Sequence, residues 1–503
     1  METKTIDVVV VGAGNAGLVA ALAASEKGAK VLVLEAAPIA ERGGNSRFAG
    51  AIFRTVHEGF SSVQDVLTEE SRAWSGRVDF GPYTRGAYIS DWMSIGQDRP
   101  DNHLVDIVVD GSNDTLRWMH ERGVEFELTV DKLFDPATFD SGQVYDMVPG
   151  GAIRAAGEGV GLVQRLFDAV EADENIEVWY DSPVSSLIVE GATVKGVQVR
   201  KPDQFIDVEG TVVLAAGGFE ANPEMRLRYL GPGWDTVKVR GTRFNMGSVL
   251  QQALQVGAQP TGHWEGAHAS PLDNGAPKVG DLRYTDKFSR YSYPYAVLVN
   301  RLGERFVDEG ENQVWLTYAK TGSAIRIQPG GIAHQIFDQR TAHLLEPRYA
   351  TTDPIIADTL EELADKLRLP RDEFLKTIRD FNDSVATDAA TRFDRFHEDG
   401  VDARPAGQPR KSNWAQRIDR APFIAYTVAC GITFTYGGLK VDDQARVIDT
   451  VGQPMPGLFA TGEIIGDFFY YNYAGGAGLM RGAVFGRLAG AGAARHAHVA
   501  VNA

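Results

Sequence analysis

The chain is poor in cysteine, in long apolar runs and in blocks of like charge, and each shortage narrows what it can be. A single cysteine, Cys430, stands in 503 residues, so no internal disulfide can form. No cluster of Cys and His has the spacing of a zinc or iron–sulfur site, so no metal is expected and any redox centre has to be a bound organic cofactor. No run of about 18 apolar residues occurs. The opening METKTIDVVVVGAG enters a strand pattern directly, without a basic and apolar leader, so a cytoplasmic protein with no membrane span is expected. The net charge of −17 is spread without an acidic or basic block, which favours solubility and disfavours a nucleic-acid partner. With 44% hydrophobic and 23% charged residues, composition is that of an ordinary folded protein. The length suits about three domains of roughly 150 residues, or two larger interleaved ones.

What is present starts with VVVVGAGNAGLVAALAASEKGAKVLVLEA, Val8 to Ala36. Four valines predict a buried parallel strand, and Gly12, Gly14 and Gly17 fall on the G-x-G-x-x-G spacing ahead of a helix of small residues. The first glycine makes the tight turn, the second admits a pyrophosphate and the third lets helix pack on strand. The helix N-terminus offers N–H groups and partial positive charge to phosphate. Val31 to Leu34 predict the next strand, closed by Glu35, an acid about 20 residues on that accepts from a ribose. This unit predicts a dinucleotide with an unphosphorylated adenosine ribose and leaves NAD and FAD both open.

Three later segments bear on that choice: ERGGNSRFAGA (Glu41 to Ala51), TVVLAAGGFEANPEM (Thr211 to Met225) and PGLFATGEIIGDFFYYNYAGGAGLMRGAVFGRLAG (Pro456 to Gly490). With them the chain resembles, over nearly its whole length, the FAD-dependent fumarate reductase and succinate dehydrogenase flavoprotein superfamily. Phrases such as GGNSR, RFVDEG, GITFTYGGLKV and FYYNYAGGAGL are most similar to tricarballylate dehydrogenase-like and 3-ketosteroid dehydrogenase-like members. The resemblance implies an α/β fold, with a discontinuous Rossmann-like FAD-binding domain and an inserted α+β cap domain. It implies FAD contacts at Gly12, Ala13, Gly14, Ala16 and Gly17 (pyrophosphate), Glu35 (ribose), and Gly43, Gly44, Asn45 and Ser46 (pyrophosphate and flavin). Val184 is implied at the adenine, Ala216 and Gly217 along the dinucleotide, Gly462 and Glu463 at the ribityl chain, and Gly478 and Leu479 at the start of a helix facing the flavin. Membrane-bound relatives attach FAD through a histidine in the segment matching GGNSRFAGA. None occurs from Glu41 to Ala51, so the FAD is expected to be non-covalent.

The expected organisation is 1–271 as the first part of the FAD-binding domain, 272–425 as the cap and 426–503 as the second part. Asn245 to Pro260 predict a helix before the exit, AVLVNRLGERFVDE two strands joined by a turn, and ITFTYGGLKVDDQARVID a hairpin on return. In DTLEELADKLRLPRDEFLKTIRDFNDSV, Thr359 and Glu362 suit a capping box and Pro370 a first helical turn. Leu360, Leu363, Leu367, Phe374, Ile378 and Phe381 keep helical spacing, which makes them core.

For the reaction, the resemblance cuts two ways. Soluble fumarate reductases carry three charged substrate anchors at positions that here read Gln313, Phe434 and Tyr473. The turn YNYAGGAGL is instead similar to the tyrosine-glycine turn of the ketosteroid and tricarballylate enzymes, which implies Tyr473 as the donor to a developing enolate oxygen. For the base, the cap tyrosines Tyr291, Tyr293, Tyr295 and Tyr318 and the hairpin residue Tyr436 are candidates, with Arg290 expected to pull a neighbouring phenol below its usual pKa. Arg47, Arg154, Arg290 and Arg481 are candidate anchors for substrate carboxylates. The reading is an FAD-dependent dehydrogenase that desaturates a C–C bond beside a carbonyl or carboxylate. Its partners are a small-molecule ketone or carboxylate and an unidentified electron acceptor. The alternatives are a reductase of an activated C=C bond and a non-catalytic FAD-holding electron-transfer subunit.

Overall fold

The structure is a computed structural model that describes residues 2–133 and 144–501. The valine run forms the end of strand Glu2–Val11, whose last four residues are buried; β-branched side chains without polar alternation suit a strand covered on both faces. The strand sits inside an eight-stranded sheet. Val31–Leu34 and then Ile176–Trp179 lie on one side of it, Phe205–Leu214 and then Pro454–Ala460 on the other, all five parallel. Val11 is opposite both Leu34 and Leu214, and Leu214 is opposite Ala460. Gly12, Glu35, Ala215 and Thr461 therefore leave the sheet at one level, the carboxyl edge where doubly wound sheets hold ligands.

Helix Asn15–Ser25 is buried along almost its whole length because the C-terminal helix Ala477–Val501 lies against it. A β-carbon on Gly490 would stand 2.1 Å from the Ala20 carbonyl oxygen, so only glycine permits this approach. The antiparallel strands Val184–Glu190 and Thr193–Arg200 extend the sheet from the early part of Phe205–Leu214.

The cap is a six-stranded sheet organised on the long strand Phe423–Thr435, which pairs with Ala267–Asp273, Ile332–Phe337, Ile355–Ala357 and Lys238–Val239. Helices Leu360–Leu367 and Arg371–Ser384 bury Leu363, Leu367, Phe374, Ile378 and Phe381 in a second core, with Leu360 at its edge. Thr359 Oγ1 accepts from the Glu362 N–H at 3.1 Å. The Glu362 carboxylate reaches back to the Asp358 N–H at 3.1 Å, one residue earlier than the expected box, and Pro370 takes the N-cap position. No helix of the described residues is long and apolar enough to cross a membrane.

Two local expectations need correction. Ile432 to Asp449 is a hairpin only at its tip, where Val441 bridges Val447 and the Ile448 N–H donates to the Lys440 carbonyl at 3.0 Å; its start completes the cap strand, Gly438–Leu439 pairs with Pro260–Thr261, and Arg446–Ile448 pairs with Pro454–Ala460. The segment leaves one sheet for another, which a local pattern does not reveal. In AVLVNRLGERFVDE only Val297–Asn300 is a strand, with its ladder to Ile332–Phe337; the return side makes one bridge, Val299 to Arg305. The expected boundaries at 271/272 and 425/426 fall within Ala267–Asp273 and Phe423–Thr435, which pair with each other. We propose that both strands belong wholly to the cap.

Candidate active site

The first turn after Glu2–Val11 is held by exclusion of side chains. Gly12 has φ +105°, and a β-carbon there would lie 2.4 Å from the Ala215 carbonyl oxygen; on Gly17 it would lie 2.0 Å from that of Gly12. Gly14 is the N-cap of Asn15–Ser25 and has no side chain to cap it, which leaves the helix entrance open to an anion. The Asn15 N–H donates to Ser46 Oγ at 3.0 Å, and Asn15 Nδ2 donates to the Leu479 carbonyl at 3.0 Å. This one residue ties together the glycine turn, the Gly44–Phe48 turn and the start of the C-terminal helix. Glu35 accepts from Ala13 N–H (3.1 Å) and Ala37 N–H (2.8 Å). Burial raises its carboxyl pKa, against those hydrogen bonds. A long cavity runs from Glu35 and Val184, past these turns, to Tyr318 and Tyr473 under the cap.

At the cap end the walls are aromatic. The Tyr473 ring is packed against His268, Phe469 and Phe434 at centroid distances of 4.5, 5.0 and 5.2 Å. Its hydroxyl accepts from the Gly478 N–H at 2.9 Å, at the entrance of Ala477–Val501. Tyr318 OH and His268 Nε2 are 2.7 Å apart. Burial raises the Tyr318 phenol and lowers the His268 imidazole, each far from its usual value, so both are neutral at pH 7. Arg240 also lines the cavity, with Nε donating to Asp286 at 2.9 Å and Nη1 to Thr433 Oγ1 at 3.1 Å; Asp286 accepts from Arg348 as well, at 2.7 Å. Midway, two buried carboxyls meet. Glu220 accepts from Asn245 (2.5 Å) and Asn45 (2.6 Å), and Glu463 accepts from the Thr435 N–H (2.9 Å). Burial raises both pKa values, and for Glu220 the neighbouring Glu463 adds to the rise.

The sequence model of one family, described as FAD binding domain, matches residues 7–479. The chain belongs to that family. FAD is its cofactor, and the residues present fit it: the glycine turn and uncapped helix entrance would hold a diphosphate and Glu35 would accept from a ribose. Over 507 aligned residues the chain is 29% identical to the probable fumarate reductase Ifc3 of Shewanella frigidimarina (strain NCIMB 400), covering 98% of this chain and 76% of that protein. It is 27% identical to the 4-oxocyclohexanecarboxylate 2-dehydrogenase of Sinomonas cyclohexanicum, covering 97% and 92%. Two further relatives are about twice as long, the chain spanning 50% and 48% of them. Among solved structures, the 3-ketosteroid Δ1-dehydrogenase of Sterolibacterium denitrificans with 1,4-androstadiene-3,17-dione superposes with a TM-score of 0.73 over 98% of this chain and 100% of that one, at 20% identity. That likeness is one of fold. As a member of this family the chain is an FAD-dependent oxidoreductase acting on C=C or CH–CH groups.

Of the residues expected at the FAD, Gly12, Ala13, Gly14, Ala16 and Glu35 face the cavity, as do Gly44, Asn45, Ser46 and Val184. Ala216, Gly217, Gly462, Glu463, Gly478 and Leu479 line it too. Gly17 and Gly43 do not: Gly17 sits on Gly12, and Gly43 turns at φ +106° with its α-carbon toward Val163. Of the expected catalytic residues, Tyr473, Tyr318 and Tyr291 reach the cavity. Tyr293 is a core residue whose hydroxyl bonds Thr317 Oγ1 at 2.5 Å, and Tyr295 OH donates to the Arg395 carbonyl; Tyr436 packs behind Phe434. Arg290 is buried inside the cap, bonded to Asp273, Thr351 and Thr352. The expected lowering of a phenol pKa by Arg290 is corrected: burial dominates and raises Tyr291, Tyr293 and Tyr318. Gln313 turns to the Phe396 carbonyl, Arg154 is held by Glu127, Asp131 and Glu158, and Arg47 by the Ala40 carbonyl. Sequence reasoning missed His268, Arg240 and Glu220. A histidine among the small residues of GAHASP is the one signal that pointed there, since small neighbours leave a strand histidine facing open space.

Proposed function

We propose that the protein is an FAD-dependent dehydrogenase that desaturates a C–C bond beside a carbonyl or carboxylate, with FAD held non-covalently. The observation that carries this reading is the Tyr473 hydroxyl. It accepts a helix N-terminal N–H, so its own proton is available to an oxygen in the cavity, and the helix dipole behind it favours negative charge there. Such a donor stabilises the enolate-like charge that develops when the α-proton leaves. Bound FAD supplies the two-electron acceptance. In this reading Tyr318 takes the α-proton as its own passes along the 2.7 Å contact to His268, so the positive charge of the step is carried by the His268 imidazolium and no anionic phenol forms. The saturated acid or ketone would thus lose two hydrogens, one as this proton. The relative named a 4-oxocyclohexanecarboxylate 2-dehydrogenase supports this direction.

A second reading is the reverse, reduction of an activated C=C bond, favoured by the relative named a probable fumarate reductase. The holoprotein should reduce a dye acceptor with a saturated cyclic ketone or carboxylate from a substrate panel, and should turn over little with reduced viologen and fumarate. Vigorous turnover in the second assay and none in the first would replace the dehydrogenase reading by the reductase one. Failure of every panel member in both directions would leave an electron-transfer subunit.

A further inference from the structure

Among the described residues the buried arginines are well paired, and Arg481 at the cavity departs from that pattern. Arg54 is paired with Asp91 (2.9 Å), Arg290 with Asp273 (3.1 Å), Arg305 with Glu309 (2.5 Å), Arg348 with Glu346 (2.7 Å) and Arg240 with Asp286. Arg226 has no ion pair, but donates to the carbonyls of Asp235 and Val237 at 2.9 and 3.2 Å and lies off the cavity. Arg481 lines the cavity with 2% of its surface exposed. Among the described residues it makes no ion pair; Nη1 reaches the Ile465 carbonyl only at 3.4 Å, and Nε has no partner.

Its setting makes this deficit costly. The guanidinium stands over the rings of Phe469, Phe468 and Phe434 at 5.0, 5.2 and 5.9 Å. Those rings attract a cation but cannot accept its N–H bonds in the way an oxygen does. Arg481 also lies about one turn inside Ala477–Val501, where the helix dipole disfavours a cation. A buried charge left in this state is paid for by an anion that completes it. Phe434 and Phe469 touch both Arg481 and Tyr473, so that anion would stand on the same wall as the Tyr473 hydroxyl.

We propose that Arg481 is the anion anchor of the cavity and that the substrate is an acid whose carboxylate it takes through paired N–H···O bonds. This rests on the oxidoreductase reading and narrows its substrate to carboxylic acids. Burial pulls the Arg481 pKa down to about 10, against the pull of Glu463, a value at which the guanidinium is still charged at neutral pH. The other anion such a cation could complete is the reduced flavin, and the test separates the two.

In the FAD-loaded protein, cyclohexanecarboxylate and cyclohexanone are titrated against the flavin absorbance spectrum, and the flavin midpoint potential is measured, for wild type, Arg481→Met and Arg481→Lys. The acid should bind wild type at least tenfold more tightly than the ketone. Arg481→Met should weaken the acid by thirtyfold or more and the ketone by less than threefold, at unchanged FAD content, with Arg481→Lys intermediate. Should Arg481→Met lose FAD, the Arg481→Lys titrations decide by the same contrast. Equal weakening of both ligands, or unchanged acid binding with a more negative flavin potential, would overturn the proposal. Selective acid binding without turnover would refute the reaction and leave the anchor standing.

Discussion

Replacing Tyr473 by phenylalanine removes one oxygen and keeps the ring, so the contacts with His268, Phe469 and Phe434 at 4.5 to 5.2 Å persist. Two hydrogen bonds are at stake. One is structural, the 2.9 Å acceptance from the Gly478 N–H; its loss should lower stability by about 1 kcal/mol, since cavity water can take the vacated place. The other is the proposed bond to a substrate oxygen, which would strengthen as charge develops. Its loss should slow flavin reduction by roughly a hundredfold or more, about 3 kcal/mol. Ligand binding should weaken by less than about tenfold, because the ground-state oxygen carries little of that charge. Anaerobic stopped-flow reduction of the flavin, with FAD content and thermal denaturation measured on the same preparation, reads all three quantities. Near-normal reduction in the molecules that hold FAD, with stability and occupancy falling together, would refute the reasoning and make Tyr473 a packing residue.

Acid precipitation should release all the FAD into solution; flavin fluorescence left with the precipitated chain would mean a covalent link. Glu35→Arg should lower the flavin-to-protein absorbance ratio after gel filtration much more than Glu174→Arg at the exposed Glu174, and equal ratios would remove Glu35 from the ribose. The folded Glu220 pKa lies above its unfolded value, so the folded state holds the proton longer. The stability this gives is present below about pH 4.5 and is lost as pH rises through the folded pKa. In the apoprotein, Glu220→Gln should therefore match wild type near pH 4 and exceed it in melting temperature at pH 8, and a variant less stable at pH 8 would mean that the carboxylate is needed ionised. Burial pushes the Cys430 thiol up to about 12, so a disulfide reagent at pH 8 should label one thiol only after denaturation; fast labelling of the native protein would contradict its burial.

The dinucleotide half of the site was legible in the residues themselves. Its chemistry is carried by backbone, and backbone demands are written locally. Gly12 is glycine because of the turn it makes, and Glu35 is fixed by following a strand of known register. The two cap helices were legible for the same reason, since one buried stripe at helical spacing is a property of a single segment. What the tertiary structure alone decided lies where chains from distant segments meet. Tyr318 and Tyr293 are both cap tyrosines in aromatic surroundings, yet one reaches the cavity beside His268 and the other ends on Thr317. Arg290 and Arg481 read alike as cations, but Asp273, on the strand end alongside it, neutralises the first while no described carboxylate pairs with the second. A side chain's partner across the fold sets its pKa, its charge balance and its access to the cavity, and no local spacing encodes which partner that will be.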